Sequence, residues 1–169
     1  MNLTGQQLVE LGIITGPIDS ENIQQHGVDL NLIRVQKVIG KGTIPQEGKT
    51  VVAIREDVEP VTFEENGLPF WDLQPGVYDI TMAQGCNIPA NKRLKIVHRS
   101  SLFRNGGQLN SALFDAGFQT DNIGTVMILS IPMLIEVGAR VGQAYTDESN
   151  VVQNLYNGQF QNDIQRLAV

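Results

Sequence analysis

The sequence predicts a mainly β domain, and three observations carry that expectation. Short runs rich in Val, Ile, Thr and Tyr follow one another closely: "TVVAI", "VYDITMA", "RLKIVH", "GTVMILSI" and "ARVGQAYTD". Gly, Pro and Asn punctuate these runs, which is the spacing of a β-sandwich, jelly roll or barrel. No regular strand–helix alternation intervenes, which argues against a doubly wound parallel sheet.

The elements come in order. Thr4 precedes "GQQLVELG", where Leu8, Val9 and Leu11 make a plausible apolar stripe, so the spacing predicts a short helix capped by Thr4. Gly12 and the Gly16–Pro17 pair stop it. From "GVDLNLIRVQKVIG" onward the texture is that of strands. After Ser149 the tail "NVVQNLYNGQFQNDIQRLAV" is polar with isolated apolar residues, and reads as an arm that becomes ordered against something else, such as a neighbouring subunit. The expected organisation is one domain over 1–169, with a helical region over 1–16 and an arm over 150–169.

Composition bounds what this domain does. A chain of 169 residues, 41% hydrophobic and 18% charged, suits a folded domain that needs no disulfide or metal staple. The single cysteine, Cys86, forms no internal disulfide and suits a reducing compartment. The N-terminus lacks the pattern of a signal peptide, and no apolar run approaches the roughly 20 residues that cross a bilayer. A cytoplasmic protein with no membrane partner is expected. A net charge of −6 argues against a nucleic-acid polymer as partner. One small phosphorylated ligand needs only local positive charge, and Arg99 and Arg104 lie close together in "HRSSLFRNG".

Four segments carry groups suited to an anionic ligand. In "HRSSLFRNGG", Arg99 follows an apolar strand, and Ser100 and Ser101 open a possible helical turn. A guanidinium, two hydroxyls and free backbone N–H groups suit phosphate, and a helix start beside a surface arginine explains the segment equally well. In "SALFDAGF", Asp115 sits between Phe114 and Phe118; an acid drawn into apolar surroundings is costly unless paired or used, and a turn-capping Asp is the plainer account. "GARVGQAY" sets Arg140 and Gln143 about a strand start, and "YNGQFQ" puts aromatic and amide groups beside a glycine. There is no GxGxxG fingerprint and no Walker loop, His26 and His98 are too far apart to suggest a metal pair, and no serine has an adjacent histidine base.

Taken in order, these segments resemble the dUTPase and dCTP deaminase superfamily. "NIQQHGVDLNL" is similar to its opening strand motif, with Asp29 in the acidic position; "RSSL" to its phosphate motif; "FDAGF" to the motif of catalytic Asp and aromatic residue; "GARVGQ" to its fourth motif. "YNGQFQ" and "LTGQQLVELGII" resemble the deaminases and the archaeal- or viral-type dUTPases.

The resemblance implies a jelly-roll-like β-clip fold assembled as a homotrimer, with sites shared between subunits. It implies Asp115 as general base for water attack on an α-phosphate. Phe118 would pack against deoxyribose, leaving no room for a 2′-hydroxyl. Arg99, Ser100, Ser101 and Gln143 would hold the triphosphate, and the segment from Ser111 to Asp115, with Gly117 in the turn after it, would frame the base. Tyr156, Gln159 and Phe160 would close over base or phosphate. Magnesium would arrive on the triphosphate, with no metal site of the protein's own.

The superfamily's deaminases need a glutamate on the strand after the Asp motif. Here that strand, "IGTVMILSI", has no acid, the expected position falling near Met127 to Leu129, and Glu136 lies beyond it. The expected activity is therefore dUTP hydrolysis. Deamination of dCTP, a bifunctional enzyme and a non-catalytic binding module are the alternatives.

Overall fold

The computed structural model describes residues 3–148 and 150–161. In chain order its elements are α1 (Gly5–Glu10), β1 (Ile14–Thr15), β2 (Val28–Val38), β3 (Arg55–Asp57), β4 (Val61–Thr62), β5 (Pro69–Leu73), β6 (Gly76–Met82), β7 (Gly85–Asn87) and β8 (Lys92–His98). Next come α2 (Ser100–Arg104), β9 (Gly107–Asn110), β10 (Gln119–Thr120), β11 (Gly124–Leu129), β12 (Met133–Glu136) and β13 (Arg140–Glu148). The fold is the mainly β one expected from the sequence, with a short helix at its start.

The helix begins where its cap dictates. The Thr4 hydroxyl accepts from Gln7 N–H while the Gln7 side chain accepts from Thr4 N–H, a reciprocal capping box. It is shorter than the stripe suggested. Leu8 is fully buried, but Leu11 is the C-cap and 64% exposed, because the chain turns away at Gly12 (φ +65°). The "TVVAI" run also differs from expectation. Only Val51 bridges, to Thr43, and Val51 and Ile54 face solvent. Close packing of Gly42 against the Val51–Ala53 backbone shapes a loop rather than a strand.

The principal sheet runs β8-β13-β2-β6-β11-β9, with β3 added to β2, and its neighbours are antiparallel. Its ends nearly meet. Leu94 of β8 and Phe114 exchange backbone hydrogen bonds of 3.0 and 3.1 Å, and the Ser111 hydroxyl donates to the Ile96 carbonyl. A sheet closed this way has few open edges and wraps one core, centred on Leu30, Leu32, Ile80, Met82 and Met127. Closure also fixes the course of the chain beyond Phe114. Asp115 is carried to one end of β8, while Arg99 lies directly past the other.

Amide side chains pin the end nearer Arg99. Asn22 donates to the Asp29 carbonyl and to Asn31 Oδ1, Gln84 donates to the same Asn31 oxygen, and Asn31 donates to the Gly138 carbonyl. The start of β2 and the turn into β13 are thereby tied together.

Candidate active site

At the Arg99 end, charges face one another. Asp29 is 1% exposed. Its Oδ2 lies 3.1 Å from Arg99 Nε and 3.8 Å from Arg140 Nη1. Gln24 donates to Oδ2 at 3.2 Å and Gln143 to Oδ1 at 3.3 Å. Burial pushes the Asp29 carboxyl above its ordinary range, against the opposing pull of Arg99, Arg140 and Gln143. Arg140 also grips Glu21, by its carboxylate at 3.2 Å and by its carbonyl. A polar cavity of about 360 Å³ opens here, with Asp19, Asn31, Arg99, Glu136 and Arg140 on its walls. Ser100 and Ser101 are exposed at the start of α2, and Ser101 borders a separate groove with Leu102 and Ile131. His98, the last residue of β8, stacks on Phe103 with ring centroids 5.2 Å apart.

At the other end lies a larger cleft, of about 420 Å³. One wall is the segment from Ser111 to Asp115, with Phe118 behind it. Phe118 is itself held by Phe114 and Tyr156, each with its ring centroid 5.4 Å away. Asp115 is more open than its neighbours suggested: the rings are buried or half-buried while the carboxylate is exposed. The floor comes from the sheet. Val126 of β11 stands opposite Asn110 of β9 on one side and Asp79 of β6 on the other, so the three share a face. Met127 and Leu129, which bound the expected position of a deaminase glutamate, point into the core at 0% and 2% exposure. The β11 side chain between Asp79 and Asn110 is an isopropyl group.

The described part of the arm folds back on its own chain. Tyr156 N–H donates to the Ala116 carbonyl and the Gln161 amide to the Gly117 carbonyl, both at 2.8 Å. Gly117 is required here: its φ is +88°, and a Cβ would lie 2.6 Å from that of Leu155. Thr50 N–H donates to Gln159 Oε1, and Gln159 Nε2 returns a bond to the Thr50 carbonyl. Phe160 reaches the rim of the cleft. Residues 150–161 of the arm thus make contacts with their own chain. The rest of the arm lies outside the described residues.

A model of the dCTP deaminase-like family matches residues 4–146. The chain belongs to the dCTP deaminase-like family, within the dUTPase and dCTP deaminase superfamily. A Halobacterium salinarum protein named probable deoxyuridine 5′-triphosphate nucleotidohydrolase is 33% identical over 147 residues, covering 87% of each chain. A Methanocaldococcus jannaschii deoxyuridine 5′-triphosphate nucleotidohydrolase is 29% identical over 141 residues, 83% of this chain and 88% of that one. A solved 2′-deoxycytidine 5′-triphosphate deaminase from Agrobacterium tumefaciens shares the fold with a TM-score of 0.59 at 15% identity. It aligns with 88% of this chain, which spans about half its length, 48%.

Within this family member, the sequence-derived candidates divide between the two ends. Ser111, Asp115, Phe118, Tyr156 and Phe160 line the cleft, Gly117 shapes its turn, and Gln159 latches the arm to the Thr50 loop. Arg99 and Gln143 converge on Asp29, with Ser100 and Ser101 nearby on α2. The two sets do not share a cavity. Arg55, on the cleft wall with Asp79 as partner, went unmarked in the sequence, because its pairing joins strands and leaves no local spacing.

Proposed function

We propose that this protein is a dUTP diphosphatase, cleaving dUTP to dUMP and pyrophosphate. One observation carries the proposal: among the described residues lining the cleft, Asp115 is the one acid, and the neighbouring strand offers Val126. A single exposed carboxylate suits removal of a proton from water. Deamination at C4 asks for a second acid that carries protons to and from the base, and an isopropyl group transfers none. The names of the archaeal relatives point the same way.

In the reaction we infer, the Asp115 carboxylate takes a proton from a water molecule whose oxygen attacks the α-phosphorus. The bond from that phosphorus to the bridging oxygen breaks, and pyrophosphate leaves with the electron pair. Phe118 packs on the deoxyribose, and backbone groups from Ser111 onward read the base. Arg99, Ser100, Ser101 and Gln143 hold the triphosphate, which brings magnesium with it as part of the substrate. Tyr156, Gln159 and Phe160 close the cleft.

A homotrimer accords with the spacing of these parts. Phe114 pairs with Leu94, five residues before Arg99, and extended chain advances about 3.3 Å per residue, so roughly 16 Å of strand separates the two ends. One chain's Arg99 therefore serves a neighbour's Asp115. The test is a product assay with magnesium across dUTP, dCTP, dTTP and UTP. Pyrophosphate from dUTP is the expected outcome; ammonia from dCTP, or binding of dUTP without turnover, would overturn it.

A further inference from the structure

One cleft-lining residue, Arg55, is held by a buried partner, and the proposed reaction uses neither. Asp79 is 3% exposed, and Arg55 Nε lies 2.7 Å from its Oδ2. Asp79 is the cross-strand neighbour of Val126 and so shares its sheet face, but it is buried and is not itself part of the cleft lining. Arg55, from β3 on the adjoining side of the sheet, reaches over it and lines the cleft. Among the described lining residues Arg55 is the one cation.

Two properties of this pair bear on which base enters. A guanidinium carries five N–H donors and no acceptor, and stays charged at any working pH. One carboxylate oxygen at Nε fixes its plane without engaging every donor. The pyrimidine bases differ at C4, where uracil and thymine present an oxygen that accepts and cytosine an amino group that donates. Beside a donor-only cation the first is favoured, and the second is doubly penalised, by the lost bond and by two donors facing each other.

We propose that Arg55, held in place by Asp79, reads the C4 oxygen of the pyrimidine and so selects uracil-type over cytosine-type nucleotides. Arg55 is a specificity residue, and Asp79 acts through it as a positioning residue. The inference rests on the cleft taking the base of a deoxynucleotide.

Arg55→Met alone takes the Arg55 guanidinium away from a buried carboxylate, so Arg55→Met/Asp79→Asn is made beside it, together with Asp79→Asn. For each, kcat/KM is measured for dUTP, dCTP and dTTP, and the binding of α,β-imido dUTP and α,β-imido dCTP is titrated. The double variant should lose about 10- to 100-fold of its preference for dUTP over dCTP, the range of a hydrogen bond to a charged group. Its preference between dUTP and dTTP should hold, since these two share the C4 oxygen. Asp79→Asn should lose part of the same preference. An equal fall for all three nucleotides, or an unchanged dUTP-to-dCTP ratio in turnover and in binding, marks a merely structural ion pair and overturns the proposal. Wild-type protein that hydrolyses dUTP while the variants keep its selectivity refutes the role of Arg55 alone. Wild-type protein that neither binds nor hydrolyses dUTP refutes the diphosphatase reading, and this inference with it.

Discussion

The two ends of β8 solve opposite problems. At one end a buried carboxylate, Asp29, is ringed by two guanidiniums and two amides, so positive charge is matched before any ligand arrives. At the other end Asp115 stands exposed above an aromatic wall. In the proposed reaction the first arrangement would hold the triphosphate and the second would supply the reactive group at an open rim. A nucleoside triphosphate has both needs at once, a charged tail to be held and a phosphorus to be approached. The strand between the two ends keeps them apart in one chain, and in the proposed homotrimer each would meet its complement in another.

The sharpest way to break that comparison is to disable the ends separately. Asp115→Asn should fold and bind nucleotide while losing about 10²- to 10⁴-fold in kcat, the range for removal of a general base, or roughly 3–5 kcal/mol of barrier. Arg99→Ala should weaken triphosphate binding more than nucleoside binding. When the two impaired variants are mixed, unfolded and reassembled together, turnover at low dUTP should rise above that of either alone, because some sites then join an intact Asp115 to an intact Arg99 from different subunits. No gain in the mixture over the separate variants, with both individually folded, would show that each chain works alone.

How much of this was legible in the chain depends on whether the cause was local. The Thr4 cap, the strands β6, β8, β11 and β13, and the Arg99–Ser100 start of α2 all arise from neighbouring residues, and each stands where its sequence pattern suggested. Leu11 and the "TVVAI" run misled for the same reason: apolar character says that a residue can be buried, not that a partner surface exists there. Asp115 and Arg99 were recognisable by motif, but their separation comes from the Leu94–Phe114 closure, which joins residues 20 apart. Arg55 and Asp79 meet across 24 positions, through two strands that both pair with β2.

A smaller effect sharpens the picture of the aromatic wall. Phe118 is wedged between Phe114 and Tyr156, so its ring cannot retreat from a sugar laid against it. Phe118→Ala should relax discrimination against UTP by about 10-fold, the scale of one lost steric contact in an apolar pocket. Steady-state competition between dUTP and UTP reads this directly. Unchanged preference for the deoxy sugar would assign the ring to holding the arm through Tyr156, and thermal stability would then fall instead.

The smallest expected effect concerns pH, and it separates the holder from ordinary surface pairs by sign. Asp29 has its pKa raised from 3.8, burial being the leading cause. In the window above 3.8 and below the raised value, the native state binds the proton more readily than the unfolded chain. Stability from this group therefore falls as pH rises through that window and recovers on acidification. Asp57 behaves oppositely. Its hydrogen bonds from Arg34, at 2.7 and 2.8 Å, hold its carboxyl below 3.8, so its contribution is present above that value and is lost as pH falls through the lowered one. Comparing each variant with wild type by denaturant unfolding between neutral pH and about pH 3 exposes both signs. Against Asp29→Asn, wild type should gain in relative stability as pH drops through the upper window. Against Asp57→Asn, it should lose in the lower one. Should the Asp29 difference instead move against wild type on acidification, the arginines outweigh burial, and Arg99 is bound to its own carboxylate too firmly to serve as a holder for phosphate.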